Sequence, residues 1–356
     1  MKKYFGIFIA VFLSIMIILP GAVAVVDPCF VYHSPLKELY YELDNDRYQN
    51  NGIAARFDYD AVITGTSLTE NFKCSEFDSL YGTNSVKVPF SGATFYETKE
   101  TVERGYRSGH NIRYVFRSLD INHLGDEAGA LREDLGEYPF YLFNDKLSDD
   151  YKYLLNEDTV MRYCIPAIAG FALGKKGGHT SFDEYHSADW RKGGGGWTWK
   201  DEVFEYDIND QTPMTAEERT KVLLNVEKNI TDFAREHPET TFIYYVPPYN
   251  MTWWKGLIQD DGFDGAVEGL EIALEKCLEC DNIRVYCYAL RTDLTTDLDY
   301  YVDSAHYIGD INSEILKWCA AGEDLVTKEN YKSYVDGIWD FYGHYEYMVG
   351  YRNSNE

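Results

Sequence analysis

Positive charge is scarce in this chain: 33 lysines and arginines stand against 59 aspartates and glutamates, for a net charge of −26. Such a surface repels phosphate backbones and anionic headgroups, which excludes a nucleic-acid partner. Cysteine is sparse too. There are seven, an odd number, and Cys277-x-x-Cys280 has neither a second CxxC nor a histidine pair beside it. No disulfide framework can be drawn from that pattern, and buried, reduced thiols are expected for most of them. His179 and His186 sit among Asp183, Glu184 and Asp189 without the spacing of a helical zinc motif. No metal or other cofactor is therefore expected. No internal repeat occurs.

What the chain has in quantity is apolar surface, 45% of 356 residues, including 31 tyrosines. That is enough for a substantial core, and tyrosine also suits half-wet and carbohydrate-facing surfaces. Lys2 and Lys3 precede an uncharged, mostly apolar run from Tyr4 to Val26, long enough to cross a bilayer with its positive flank inside. Pro20-Gly21-Ala22-Val23-Ala24 offers a small-residue cleavage site, so a removed signal peptide is the alternative. The apolar run continues past that site to Val26, which favours a retained anchor. Either way the remainder is expected outside the cell.

Short apolar runs then alternate with helical patterns. Strands are expected at Ala61–Thr64, Ser85–Pro89, Ile112–Leu119, Thr241–Val246 and Ile283–Ala289. Helices are expected near Ser67–Phe77, Tyr96–Ser108, Thr215–Glu236 and Gly265–Cys280, with a last one over Lys328–Val349. Thr215 with Glu218 forms a capping-box spacing, followed by Val222, Leu223, Val226, Ile230 and Phe233 at helical intervals. The alternation implies βαβ units: an α/β fold with a five-stranded, mainly parallel sheet covered by helices on both faces. Residues 1–26 are the anchor or signal segment and 27–57 a lead-in. Residues 58–121 and 214–325 form the α/β domain, interrupted by an inserted subdomain at 122–213, and 326–356 close the chain.

In a parallel sheet, ligands gather at the carboxyl ends of the strands. Ser67, in Gly65-Thr66-Ser67-Leu68, falls there after the first strand, either as a nucleophile or as a helix N-cap. After the fifth strand, Asp303 and His306 are three residues apart, a spacing that lets a carboxylate orient an imidazole toward a hydroxyl. The alternative is an aspartate cap followed by a surface histidine. Tyr249, Asn250, Trp253 and Trp254 follow the fourth strand in "VPPYNMTWW", either lining a pocket or lidding the helix beneath. Trp190, Trp197 and Trp199 belong to the glycine-rich part of the insertion. Lys175-Lys176 and Arg191-Lys192 read as solvated charge.

The G-T-S-L block and the distant D-x-x-H resemble the SGNH (GDSL-like) hydrolase superfamily. More narrowly, "DPCFVYH", "YDAVITGTSLTENF", "RSLD" and "VPPYNMTWW" resemble a membrane-anchored Firmicutes group related to alginate O-acetyltransferase-like and teichoic-acid D-alanine-transfer proteins. The resemblance implies a three-layer α/β/α sandwich, with Ser67 as nucleophile, His306 as general base and acid, and Asp303 as its orienter. It also implies an oxyanion hole built from the Ser67 and Gly92 amides. The superfamily's G-x-N-D block is replaced by "RSLDIN", so the asparagine donor is absent and Asp120, a candidate substrate contact, stands nearby. Asp120 helps an oxyanion only if protonated or by orienting another donor, and Asn122 and Asn250 are the candidate replacements. The implied function is an extracytoplasmic serine esterase or O-acyltransferase acting on an acylated envelope carbohydrate or polymer. The alternative is a non-catalytic binding or assembly partner of a membrane-bound acyltransferase.

Overall fold

The computed structural model describes residues 2–135, 138–144, 146–187 and 202–350, with the backbone of 197–198 and 352–353. Trp190, Trp199, Asp189, Arg191 and Lys192, and the side chain of Trp197, lie outside the described residues.

The chain opens with α1, Lys2–Val26, a single apolar helix long enough to cross a membrane. Helix α2, Asp46–Arg56, follows, capped by Asn45, whose side chain accepts the Tyr48 amide. The sheet then builds from β1 (Ala61–Gly65), β2 (Ser85–Pro89) and β3 (Tyr114–Ser118), with α3 (Cys74–Tyr81) and α4 (Phe95–Arg107) between them. The insertion carries α5 (Tyr151–Leu154), a wide turn over Thr159–Cys164, and α6 (Ile165–Ala172). After it come α7 (Ala216–Val226), a second wide turn over Glu227–Thr231, and α8 (Asp232–Glu236), leading into β4 (Thr241–Val246). Helices α9 (Met251–Gln259) and α10 (Phe263–Cys277) precede β5 (Ile283–Cys287). Helices α11 (Thr292–Thr295) and α12 (Gly309–Ala321) lead to β6 (Leu325–Val326), and α13 (Tyr331–Gly343) follows.

The sheet order is β2-β1-β3-β4-β5-β6. The first five strands are parallel, with Ala61 opposite both Ser85 and Tyr114, Tyr114 opposite Thr241, and Phe242 opposite Ile283. The fold is therefore α/β. A sixth strand, β6, pairs antiparallel with β5 and was not foreseen, because two residues are too short for a periodic signal. Every residue of β1 and β2 is buried, so side chains pointing to either face meet cover.

The expected helix over Ser67–Phe77 is interrupted. Thr66 caps a three-residue 3₁₀ turn, Ser67–Thr69, and α3 starts only at Cys74. The Thr69 hydroxyl donates to the Thr66 carbonyl at 2.6 Å, and Glu70 and Phe72 make only i→i−3 bonds. A side chain competing for the backbone ends the turn there. The Thr215–Glu236 helix forms with both halves of its capping box, and its wide turn over Glu227–Thr231 leaves Val222, Val226, Ile230 and Phe233 on the buried side. All seven cysteines are free and buried, Cys277 and Cys280 included. The insertion shares the main core through Leu142, Tyr153, Val160 and Tyr185. It also pairs with the lead-in, Tyr40–Tyr41 beside Gly178–His179.

Candidate active site

Strand order puts a topological switch at β1: the chain steps to β2 on one side and to β3 on the other. The carboxyl end of β1 is thus flanked by both neighbours' loops, the place where open α/β sheets leave a crevice. Gly65 ends β1 at φ +139°, and a Cβ there would stand 2.6 Å from the Ser118 hydroxyl and 2.7 Å from Thr69. Only glycine lets the chain turn there with β3 so close.

Ser67 follows on the 3₁₀ turn, half-buried, and its Oγ lies 2.8 Å from His306 Nε2. The other ring nitrogen, Nδ1, is 2.6 Å from Asp303 Oδ2. Asp303 Oδ1 accepts the amides of Ala305 at 2.9 Å and His306 at 2.7 Å, so the loop between the two residues is closed by the carboxylate itself. Burial opposes ionisation of Asp303, but the His306 ring and those two amides outweigh it and hold the carboxyl below its usual range. Serine, imidazole and carboxylate form one continuous hydrogen-bonded line between loops 239 residues apart.

Three further bonds explain why those loops meet. Buried Asn312, on α12 just beyond His306, donates to the Leu68 carbonyl at 2.9 Å, strapping α12 to the nucleophile turn. Tyr301 donates to the Pro248 carbonyl at 2.6 Å, and Asn250 Nδ2 donates to the Asp303 carbonyl at 2.9 Å. The Asp303–His306 loop is therefore fixed from both the β1 and β4 sides.

Two backbone donors are free. Neither the Ser67 amide nor the Gly92 amide has an acceptor among the described residues. Gly92 sits three residues past Pro89, which pairs with Gly65, so both amides border the same strand ends. Its φ of +65° favours glycine, and a Cβ there would displace the Arg132 guanidinium, whose nearest nitrogen lies 1.5 Å from that position. Arg132 donates to the Gly92 carbonyl at 2.8 Å and to the Ser91 carbonyl, on the peptide that carries the Gly92 amide, at 3.4 Å, and is itself held by Asp134. Nothing in the sequence signals this contact, because Arg132 lies forty residues downstream.

Asp120, expected to bind substrate, is buried and saturated instead. It accepts the Thr66 hydroxyl at 3.0 Å, the Asn122 amide at 3.1 Å and the Tyr249 hydroxyl in a short bond. Tyr249 remains a neutral donor because burial, and then the Asp120 charge, push its phenol well above the usual range. Asp120 is thus an orienter of the turn carrying Ser67. Asp120→Ala should leave two buried hydroxyls without an acceptor for their protons and destabilise the fold by about 3 kcal/mol, measurable by chemical denaturation.

Asn122 is exposed and turns its amide toward the Tyr249 hydroxyl at 3.4 Å, not toward Ser67. The other expected substrate contacts are corrected by burial. Tyr249, Asn250 and Trp254 are fully buried: Asn250 caps α9, and Trp254 stacks on Tyr342. Aromatic residues at a strand end served the core there. Trp253, half-buried and stacked on Tyr249 at 4.1 Å, is the accessible aromatic of the four. A cleft of about 530 Å³ lined by Leu124, Met214 and Gly265 includes none of the three relay residues, each of which is half-buried.

His186 meets neither Asp183 nor Glu184. Its Nε2 accepts the Asp46 amide at 2.9 Å, and Asp46, Glu70 and His186 bring one ligand-type atom each within 4.8 Å of one another. Burial first, and then Asp46, push the Glu70 carboxyl up to about 8, with Lys87 pulling the other way. The folded state therefore binds the extra proton between pH 4.5, the ordinary value, and about 8. Over that window the stability of the wild-type chain falls as pH rises. Glu70→Gln should match wild type near pH 4 and exceed it by a growing margin up to pH 8, read as the thermal midpoint at each pH.

No family model and no curated protein matches the chain. Among solved structures, a chain described as "The structure of a putative platelet activating factor from Streptococcus pneumonia" is similar at 11% identity and a TM-score of 0.39. The match covers 82% of this chain and 91% of that one, a similarity too loose to carry a fold or an activity.

Proposed function

We propose that the chain is an SGNH-type serine acyl-transfer enzyme, a three-layer α/β/α sandwich held at the outer face of a membrane by α1. The observation that carries the reading is the Ser67–His306–Asp303 relay at the carboxyl edge of a parallel sheet. His306 Nε2 takes the Ser67 proton as Oγ attacks an ester carbonyl, and Asp303 stabilises the imidazolium that forms. The negative oxygen then faces the free amides of Ser67 and Gly92. Collapse releases the alcohol, protonated by His306, and leaves an acyl-serine. Water or a sugar hydroxyl, deprotonated by the same imidazole, completes hydrolysis or transfer.

Asp120 suits this reading in the second of its two forms, orienting rather than donating. The relay is only half-buried, and half-buried Trp253 offers an apolar plane for a sugar ring. On these grounds the substrate class is an acylated carbohydrate or polymer of the cell envelope. Purified full-length protein in detergent should release p-nitrophenol from p-nitrophenyl acetate, with an initial burst approaching one equivalent per chain where deacylation is the slower step. The absence of any turnover above buffer would favour the non-catalytic partner of a membrane-bound acyltransferase.

A further inference from the structure

Beyond α1, thirteen large hydrophobic side chains are exposed among the described residues, and nine of them fall between Phe140 and Leu173. The densest part is α6, "IPAIAGFA", which contains no polar side chain and buries only Ala167. Ile165, Ile168 and Phe171 face outward, and Leu173, just past the helix, is 88% exposed. A helix on a water-facing surface buries one apolar stripe and shows polar residues elsewhere. This one is apolar all round, and a patch of that kind marks a contact surface.

The segments leading into α6 adjoin the membrane helix. Helix α5 and the turn over Thr159–Cys164 pack on α1, whose Val23 and Val26 are buried and whose Leu19 and Ala22 touch the core. Immediately after α1, buried Asp27 accepts the amides of Val31, Tyr32 and His33 and the hydroxyl of Tyr153 on α5 at 2.8 Å. The helix is thus bonded to the domain at its exit instead of joining it through a loose linker. At about 1.5 Å per residue, the 25 residues of α1 extend roughly 37 Å, against a hydrocarbon core of about 30 Å. Leu19 to Val26 spans roughly 12 Å of that length. With Lys2 and Lys3 at the inner headgroups, the turns gripped by the insertion stand at the depth of the outer leaflet. Past α6, exposed Lys175 and Lys176 supply two cations, and Lys175 lies over the Tyr40 ring at 3.5 Å.

We propose that α6 and its flanking turns are a second membrane contact. The apolar side chains seat in the acyl boundary of the outer leaflet beside α1, and Lys175 and Lys176 reach the lipid phosphates. The occupant of the patch is lipid, because α5 and the turn leading into α6 pack on the bilayer-crossing helix, and α6 itself carries no polar side chain to set a protein partner's register; exposed Lys152, Glu157, Asp158 and Arg162 stand on the segments before it. Two contacts hold the domain at a set height and tilt over the membrane, where one helix would let it swing. The proposal rests on α1 crossing the bilayer.

All seven native cysteines are buried, so an introduced surface cysteine takes a label selectively. Full-length Phe171→Cys and Leu173→Cys proteins, labelled with nitrobenzoxadiazole, are reconstituted at low density into phosphatidylcholine–phosphatidylglycerol vesicles containing doxyl-lipid. Ile9→Cys on α1 serves as the bilayer control and exposed Leu224→Cys on α7 as the aqueous control. Positions 171 and 173 should be quenched about as strongly as position 9 and at least threefold more than position 224. Quenching at position 9 without quenching at 171 or 173 overturns the second contact and leaves the anchor standing. No quenching at position 9 overturns both. Signals at 171 and 173 that arise only as protein density increases assign the patch to a second copy of the chain and overturn the lipid contact.

Discussion

Ser67→Ala is expected to remove ester turnover altogether, by roughly a millionfold where a triad serine is lost, leaving only the residual assistance of the oxyanion donors. The effect should be purely chemical. The turn is shaped by Gly65, by the Thr66 cap and by Asn312 on the Leu68 carbonyl, none of which uses the Ser67 hydroxyl. Its removal should therefore shift stability by no more than about 0.5 kcal/mol. Paired measurement of p-nitrophenyl acetate turnover and thermal midpoint checks both halves. A loss of turnover with an unchanged midpoint separates a lost nucleophile from a lost fold. Unchanged turnover means that the hydroxyl 2.8 Å from His306 Nε2 is a spectator.

Asp303→Asn is the second large effect, a fall of roughly ten-thousandfold in kcat. Asp303 meets donors on both oxygens: two amides at Oδ1 and the His306 ring at Oδ2. An asparagine has one oxygen for the amides and must turn its NH₂ toward Nδ1. The ring then keeps its proton on Nε2, where it faces Ser67 as a donor and cannot act as a base. Geometry survives while the tautomer is wrong, so KM should change far less than kcat. A comparable fall for Asp303→Asn and Asp303→Ala, each with KM preserved, fits that account. A rate close to wild type in Asp303→Asn contradicts it.

Much of the scaffold was legible because buried parallel strands leave strong marks. Ser85–Pro89 and Thr241–Val246 form as read, and Ile112–Leu119 shortens to Tyr114–Ser118. The relay was legible for a different reason: D-x-x-H is local, and a parallel sheet carries its loop to the edge that holds Ser67, where the bonds of Asn312, Tyr301 and Asn250 then fix it. What stayed hidden depends on tertiary partners. Tyr249, Asn250 and Trp254 look the same in sequence whether they line a pocket or fill one, and only burial against Asp120, α9 and Tyr342 decides it. Arg132 over Gly92, and Glu70 beside Asp46, join segments with no shared pattern. The insertion's apolar stretch carries no mark of the side it faces, and α6 turns nearly all of it outward.

The central claim is an activated Ser67, and the most direct measurement is intact mass after treatment with a fluorophosphonate probe. Folded wild-type protein is expected to gain one adduct, mapped by peptide mass to Ser67, while His306→Ala gains none in the same time because its serine has no base. An unmodified wild-type chain, or equal labelling of the two proteins, would contradict the account.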